Sequence, residues 1–397
     1  MSEGPWLTIV GLGEDGPDGL PAASRAALDA AEVVIGPPRH LALLPDLVAD
    51  RMTWPVPFSK GLDLLESYRG RRVVALASGD PFWFGAGRVI AERLSPQEWC
   101  AHPGVSTFAL AASRMGWAIE RTLCLGLHAA PLTRLRPHLA PGARLLVLLR
   151  GGEAVPELSR YLTGTGFGRT RVTVLEALGG PRERRTEAHA DALTGAFGHP
   201  VCVALEITGG LGMPCVPGRE DDVFESDGQI SKRPVRALTL SALAPRAGER
   251  LWDIGGGSGS IAIEWLLAHP TTEAVSIEAR VDRATCIVRN ADALGVDRLN
   301  VVQGAAPEAL EGLAPPDAVF VGGGLSRALL DDLVTRLAPG TRLVANAVTL
   351  ESEALLAAWH AERGGDLMRI ELAEAAPLGP RRGWRSSYPV VQYRGAL

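Results

Sequence analysis

Lysine is nearly absent from this 397-residue chain. Only Lys60 and Lys232 occur, so arginine carries almost all of the positive charge. That bias carries little functional weight, because a GC-rich genome produces the same one. The five cysteines, Cys100, Cys124, Cys202, Cys215 and Cys286, form no C-x-x-C pair, and their number is odd. A disulfide framework is therefore not expected; free thiols in a reducing cytoplasm are. A basic start followed by a long apolar segment is missing, which argues against a secretory leader. No uninterrupted apolar run reaches the roughly 18 residues of a membrane helix. The eight histidines are scattered, and no His/Cys/Asp cluster has metal-ligand spacing, so no metal is expected. His40, His102 and His128 lie near loops and are read as loop or surface structure. Positive and negative side chains number 40 and 45, a net charge of −5, which does not suit a protein built to hold nucleic acid.

What is present is an α/β pattern repeated in two series. The length suggests two or three domains. In the first, PWLTIVGLG, AEVVIG, RRVVALASGD, ARLLVLLRGG, RTRVTVLEAL and PVCVALEITG read as strands, with helical patterns such as VSTFALAASRMG between them. Alternation of this kind places binding loops at strand ends. A Gly-, Pro- and acid-rich stretch breaks the pattern. The expected division is a domain over 1–210, a linker over 211–229 and a second domain over 230–397. In the second domain ERLWDIGGG, AVSIEA, NVVQGAA, DAVFVGGG and TRLVANAV are strand candidates with room for a helix between each pair. MRIELAEA and SYPVVQYR, near the end, suggest an antiparallel edge.

The most informative stretch is LWDIGGGSGSIAIE. Gly255, Gly257 and Gly259 allow a sharp strand-to-helix turn and close approach of a ligand. The helix behind them offers free N–H groups. The spacing is G-x-G-x-G, one residue tighter than the dinucleotide fingerprint. Asp253 just before it suits a ligand with an ammonium group and would repel a pyrophosphate. Glu278 ends the next strand, where an acid holds ribose hydroxyls. The turn Gly304, Ala305, Ala306 could flank an adenine. S-adenosylmethionine (SAM), a nicotinamide dinucleotide and a purely structural turn are the three readings, and the combination favours SAM.

Together these motifs resemble a class I SAM-dependent methyltransferase. The first half carries VGLGEDGPDGL, IGPPRHL, ASGDPFWFGAG and HPGVSTFALAASRMGW in that order, and resembles the tetrapyrrole methylases, the class III SAM-dependent fold of two α/β lobes, in particular their CbiE-like branch. The resemblance implies cofactor contacts from the glycine turn at Gly11 and Gly13, from Gly79, Asp80 and Pro81, and from the turn at Val105, Ser106 and Thr107. DGQISKRPVRALTLSAL before the second glycine turn is similar to the CbiT methyltransferases, with Ser231 where threonine is usual, Pro234 where an acid is usual and Gly256 where alanine is commoner. A helix is expected to start at Pro234. The whole layout resembles the fused, decarboxylating precorrin C-methyltransferases of cobalamin biosynthesis.

That resemblance implies two SAM sites and a polycarboxylate tetrapyrrole substrate. It implies methylation at carbon 5 by the first half, and methylation at carbon 15 with loss of an acetate side chain as carbon dioxide by the second. A cytoplasmic homo-oligomer is expected, with no nucleic-acid or membrane partner. No catalytic side chain stands out. Arginines should hold the substrate's carboxylates: Arg381, Arg382 and Arg385 around Trp384 form one candidate group, against a solvated loop, and Lys232 with Arg233 form another. Gly322–Gly324 could leave room for a flat macrocycle. The rivals are a methyltransferase of RNA or protein, a SAM-sensing protein with a silent half, and a dehydrogenase. The first lacks an N-P-P-Y-type motif and a basic patch, and leaves the first half unexplained.

Overall fold

The computed structural model describes residues 4–55 and 59–397. The chain forms two compact units. One comprises Met1–Pro131 and Leu139–Leu211, the other Leu132–His138 and Gly212–Leu397. Leu132–His138 thus groups with the second unit although its sequence position lies in the span expected for the first; nothing in its composition sets it apart. No helix among the described residues is long and apolar enough to cross a membrane.

The first unit has two sheets. Strands β1 (Leu7–Leu12), β2 (Val33–Gly36), β3 (Asp50–Thr53), β4 (Val73–Ser78) and β5 (Trp99–His102) make a parallel sheet in the order β3-β2-β4-β1-β5. Strand β1 reads LTIVGL because it is buried on both faces, as a central parallel strand must be. Strands β6 (Leu123–Leu127), β7 (Arg144–Leu149), β8 (Arg171–Glu176), β9 (Arg184–His189) and β10 (Val201–Glu206) follow in the order β6-β7-β10-β8-β9, with β10 antiparallel to both neighbours. This second sheet is mixed, with only β6 and β7 parallel.

In the second unit β11 (Arg250–Ile254), β12 (Glu273–Glu278), β13 (Asn300–Gln303), β14 (Ala318–Val321) and β15 (Arg342–Ala347) are parallel. Strand β16 (Asp366–Ile370), the pair β17 (Ala373–Leu378) and β18 (Arg381–Ser386), and β19 (Val390–Ala396) complete it. The sheet runs β13-β12-β11-β14-β15-β19-β16, with β19 antiparallel to β15 and β16. The antiparallel edge is therefore present, but MRIELAEA is two strands, not one. Its second part pairs with GPRRGWRSS in a separate two-stranded ribbon. The helix Ser260–Ala268, SIAIEWLLA, is buried nearly all round, between the sheet and its neighbours. The helix at Arg233–Leu243 begins one residue before Pro234.

Residues 211–229 do not behave as a free linker. Glu264 sits inside the buried helix with its side chain fully enclosed. Its carboxylate accepts from Gly218 N (2.6 Å), Arg219 N (3.0 Å) and Arg236 Nε (2.7 Å). Arg236, equally enclosed, also donates to the carbonyls of Ser231 and Arg219 and to Asp221 Oδ1, and lies over the Phe224 ring. Further along, Glu225 N donates to Asn290 and Asp227 pairs with Arg283. A buried charge needs partners, and this Gly/Pro-rich segment supplies them. Its irregular composition reflects backbone turned inward to meet Glu264.

Candidate functional site

Each unit has a cavity at the ends of its strands. The larger, about 1330 Å³, belongs to the second unit. It opens at the carboxyl ends of the parallel strands, where such sheets bind ligands. Its wall includes Ser231 and Lys232, Gly255–Ser258, Glu278, Gly304–Ala306, Gly322–Gly324, Asn346 and Ser386–Val390.

The glycine turn is built for close approach. Gly255, at φ +73°, donates its N–H to Ile277 O (2.9 Å). A Cβ there would lie 2.5 Å from Gly323 N, so only glycine lets the turn after β11 press against the turn after β14. Gly257 N donates to Glu278 Oε2 (2.8 Å), and Arg280 N to Glu278 Oε1 (2.9 Å). Both carboxylate oxygens are fixed by backbone donors and keep a lone pair each. Gly256, the departure from alanine, is explained: a Cβ would sit 2.1 Å from Ser276 Oγ.

Two residues expected at the ligand stand behind the wall instead. Gly259 is not on the cavity; its Cβ would strike Ile287 at 2.7 Å, so its role is packing at the helix start. Asp253 is 1% exposed and lies beneath the turn, where it accepts from Ser276 Oγ (3.3 Å). Burial pushes its carboxyl up to about 7; the Ala262 N–H and Ser276 oppose the rise, and the Glu278 charge adds to it. At that depth the carboxyl lies under the turn and off the cavity wall.

The cationic candidates separate likewise. Lys232 lines the cavity and pairs with Asp221 (3.6 Å). Arg233 does not: it donates to Gly218 O (2.9 Å) and pairs with Glu220, bracing the segment before it. Arg381, Arg382 and Arg385 are exposed on the β17–β18 ribbon and off the cavity wall, while Ser386 of the same strand is on it. Side chains alternate along a strand. Arg382 and Trp384 therefore share the face of Ser386, and Arg381 and Arg385 take the other, where Arg385 approaches Glu374 (3.9 Å). Asn346 was not foreseen. Thr239 Oγ1 donates to Val235 O and accepts from both Asn346 Nδ2 (2.9 Å) and Gln392 Nε2 (3.0 Å). Gln392 Nε2 also donates to Asn346 Oδ1 (2.9 Å), which fixes the amide at the cavity wall.

The first unit's cavity, about 540 Å³, is walled in part by Gly13, Gly79, Asp80, Ser106 and Thr107. Gly11 and Pro81 are off the wall. A Cβ on Gly11 would be 1.8 Å from Gly79 O, and Pro81 packs under Gly85 and Gly87. Ser106 Oγ caps the helix Thr107–Met115, accepting from Ala109 N (3.1 Å). Asp80 Oδ1 accepts from Phe82 N (2.8 Å). Glu14, Arg39, Ser78, Trp83 and Phe84, within the quoted motifs but not singled out, also line it, with His199; so do His40 and His128, and His40, expected as loop or surface structure, is buried. Glu14 pairs with Arg39 and, at 3.0 Å, with Arg182. Among the described residues no group of three or more His, Cys, Asp or Glu side chains could hold a metal ion.

The residues present fit SAM. Glycine cradles that a Cβ would fill, a braced carboxylate on the second cavity's wall and backbone turns at strand ends match a ligand with ribose hydroxyls and a flat base. The sheet order β13-β12-β11-β14-β15-β19-β16 with this turn, beside a two-lobed α/β unit, defines a protein of two fused SAM-dependent methyltransferase folds. Residues 6–194 match the family model of tetrapyrrole (corrin/porphyrin) methylases, and 222–396 the precorrin methyltransferase domain. A precorrin-6Y C(5,15)-methyltransferase (decarboxylating) of Sinorhizobium sp is 48% identical over 395 residues, which cover 98% of this chain and 96% of that one. The protein of the same name from Mycobacterium tuberculosis (strain CDC 1551 / Oshkosh) is 40% identical, with 98% of each chain covered. The crystal structure of the C-terminal domain of precorrin-6Y C5,15-methyltransferase from Rhodobacter capsulatus is 57% identical; it covers 47% of this chain and 100% of its own, with a TM-score of 0.46. The chain belongs to the decarboxylating precorrin-6Y C5,15-methyltransferase family.

Proposed function

We propose that the chain methylates a precorrin-6-type macrocycle at carbons 5 and 15 and removes one acetate side chain as carbon dioxide, using one SAM site in each unit. The observation that carries this is similarity along the whole chain to enzymes of that name, together with a separate glycine-walled cavity in each unit. Carbon 5 methylation is assigned to the first unit. Carbon 15 methylation and decarboxylation are assigned to the second.

Bound SAM supplies an electrophilic methyl group in each site. In the second unit Glu278 would hold the ribose hydroxyls, Gly255–Gly257 would admit the methionyl part, and Gly304–Ala306 would flank the adenine. Ligand pockets span roughly 300–1,000 Å³, so the cavity of about 1330 Å³ has room for more than a cofactor. The meso carbons of a reduced tetrapyrrole are enamine-like and nucleophilic already. The protein's contribution is to align the reacting atoms and exclude water. For decarboxylation, Lys232 and Arg382 would anchor the other carboxylates so that the breaking bond lies along the ring's π system, which takes up the electron pair. Arg382 is preferred to Arg381 and Arg385 because it shares the ribbon face of Ser386.

A homo-oligomer in the cytoplasm belongs to the same proposal. Exposed Leu378, Trp384 and Tyr388 offer apolar surface for self-association. The functional test is mass spectrometry after incubation with a precorrin-6-type substrate and SAM. Two methyl groups gained and carbon dioxide lost is the expected product; an unchanged macrocycle refutes the assignment.

A further inference from the structure

The first unit's cavity holds an arginine clamped from three sides. Arg39 pairs through Nη1 with Glu14, whose side chain is 6% exposed. Through Nη2 it contacts Ser78 Oγ (3.0 Å) and His40 Nε2 (2.8 Å). A guanidinium can only donate, so His40 Nε2 accepts, and the neutral ring carries its proton on Nδ1. Burial, and then the Arg39 charge, push the His40 pKa down to about 3. The ring therefore adds no charge near neutrality. Arg39 Nε–H and the second Nη1 hydrogen have no partner among the described residues, and the side chain keeps 25% exposure on the cavity wall.

Glu14 serves two guanidiniums, Arg39 and Arg182. Asp80, the other acid on this wall, is turned to its own loop through Phe82 N. His199 is held below its ordinary pKa by burial and by Arg39. Among the described residues Arg39 is the one arginine or lysine on this wall. The same wall carries Trp83 and Phe84, exposed at 37% and 48% although both rings contact Phe108. Phe84 adopts φ +59°, an outlier for a bulky residue, and Gly126 makes room for it: a Cβ there would be 2.7 Å from the Phe84 ring.

A volume of about 540 Å³ suits one cofactor-sized ligand. A larger, polycarboxylate ring reaching this wall would meet a guanidinium held by Glu14 and Ser78 and two partly exposed aromatic rings. We propose that Arg39 anchors a peripheral carboxylate of the macrocycle in the first unit, with Trp83 and Phe84 as the surface against its ring. Glu14, Ser78 and His40 are positioning residues that aim the guanidinium before the ligand arrives. This inference rests on the proposed methylation of carbon 5 by this unit.

The test uses the full chain, with product-resolved kinetics on a precorrin-6-type macrocycle and calorimetry with SAM. Arg39→Gln should raise KM for carbon 5 methylation by about 10- to 100-fold, the loss of one charge-assisted contact, with kcat and SAM affinity little changed. Arg39→Lys keeps the charge opposite Glu14 but loses the fork, and should fall between Gln and wild type. Trp83→Leu should also raise KM. Arg88→Gln, which removes an exposed arginine paired with Glu92, controls for overall charge and should leave KM unchanged. Melting curves check that each variant folds. An unchanged KM in both Arg39 variants overturns the inference. A parallel loss of SAM affinity overturns it too, because Arg39 would then hold the methionyl carboxylate of the cofactor. A wild-type chain that gives no carbon 5 product refutes the proposed activity instead, and that outcome is read before any variant is compared.

Discussion

Replacing Glu278 separates ligand binding from turn structure in a way the geometry makes quantitative. In the native chain both carboxylate oxygens accept backbone N–H groups, from Gly257 and Arg280. On the proposed assignment Glu278→Ala deletes the acceptors for the ribose hydroxyls, a loss of about 1–3 kcal/mol, which is roughly 5- to 150-fold in affinity. Glu278→Gln should do little better. With a backbone donor at each oxygen, the amide must set its own NH2 against one N–H, so the isostere brings a donor–donor clash to the turn. The assay is the KM for SAM in each methylation, separated by product. It should rise for carbon 15 methylation in both variants and stay unchanged for carbon 5. If Gln behaves as wild type, the carboxylate does not brace the Gly257 turn. If neither variant changes the SAM dependence of carbon 15 methylation, Glu278 does not meet the cofactor.

Other expectations follow from buried groups. The folded pKa of Asp253, about 7, lies above its ordinary 3.8; its contribution to stability is complete below pH 3.8 and is lost as pH rises through about 7. Asp253→Asn should flatten that part of the stability profile in denaturant titrations; an identical profile would place the pH dependence elsewhere. Gly256→Ala should cost about 1–3 kcal/mol by driving the new methyl at Ser276 Oγ, and Ser276→Ala should relieve much of it. A double-mutant cycle with no coupling would contradict the contact. Glu264→Ala removes the fully enclosed acid partner of the Arg236 guanidinium, which keeps only the partly exposed Asp221, and should cost about 3–5 kcal/mol; a loss below about 1 kcal/mol would mean that water or a rearranged segment reaches it.

The strands that sequence reading recovers in the first unit are the interior ones. Four were missed, β3, β5, β6 and β9, and each is an edge of its sheet. An interior strand buried on both faces must be apolar nearly throughout, so it announces itself. An edge such as DRMT or RRTEAH faces solvent and carries no such run. The glycine turn was legible because its spacing is a backbone requirement. The depth of Asp253 was not, since an acid at a strand end reads the same whether it points into a cavity or beneath the turn. The arginines of GPRRGWRSS were visible, but not the ribbon that divides them between two faces. Arg39 lay in a quoted motif yet gave no signal, because its significance comes from Glu14 and Ser78, which the fold brings together.

The enclosure of Glu264 also determines where the polypeptide tolerates a cut or an insertion. A break after Phe224 would remove the backbone donors of Gly218 and Arg219 and leave a carboxylate stranded inside a helix. A break ahead of Gly212 would keep them. On the other side Ile207 N still bonds Ala143 O, Thr208 N still bonds Thr170 Oγ1 and Gly210 packs on the buried Phe167 ring, so the first unit needs its chain through Gly210. The permissive seam is thus very narrow, at the exposed Leu211 and the bond to Gly212. An affinity tag, protease site or partner domain placed there should be accepted. The same insert placed in the acidic run after Gly218, which looks far more like a spacer, should unfold the second unit.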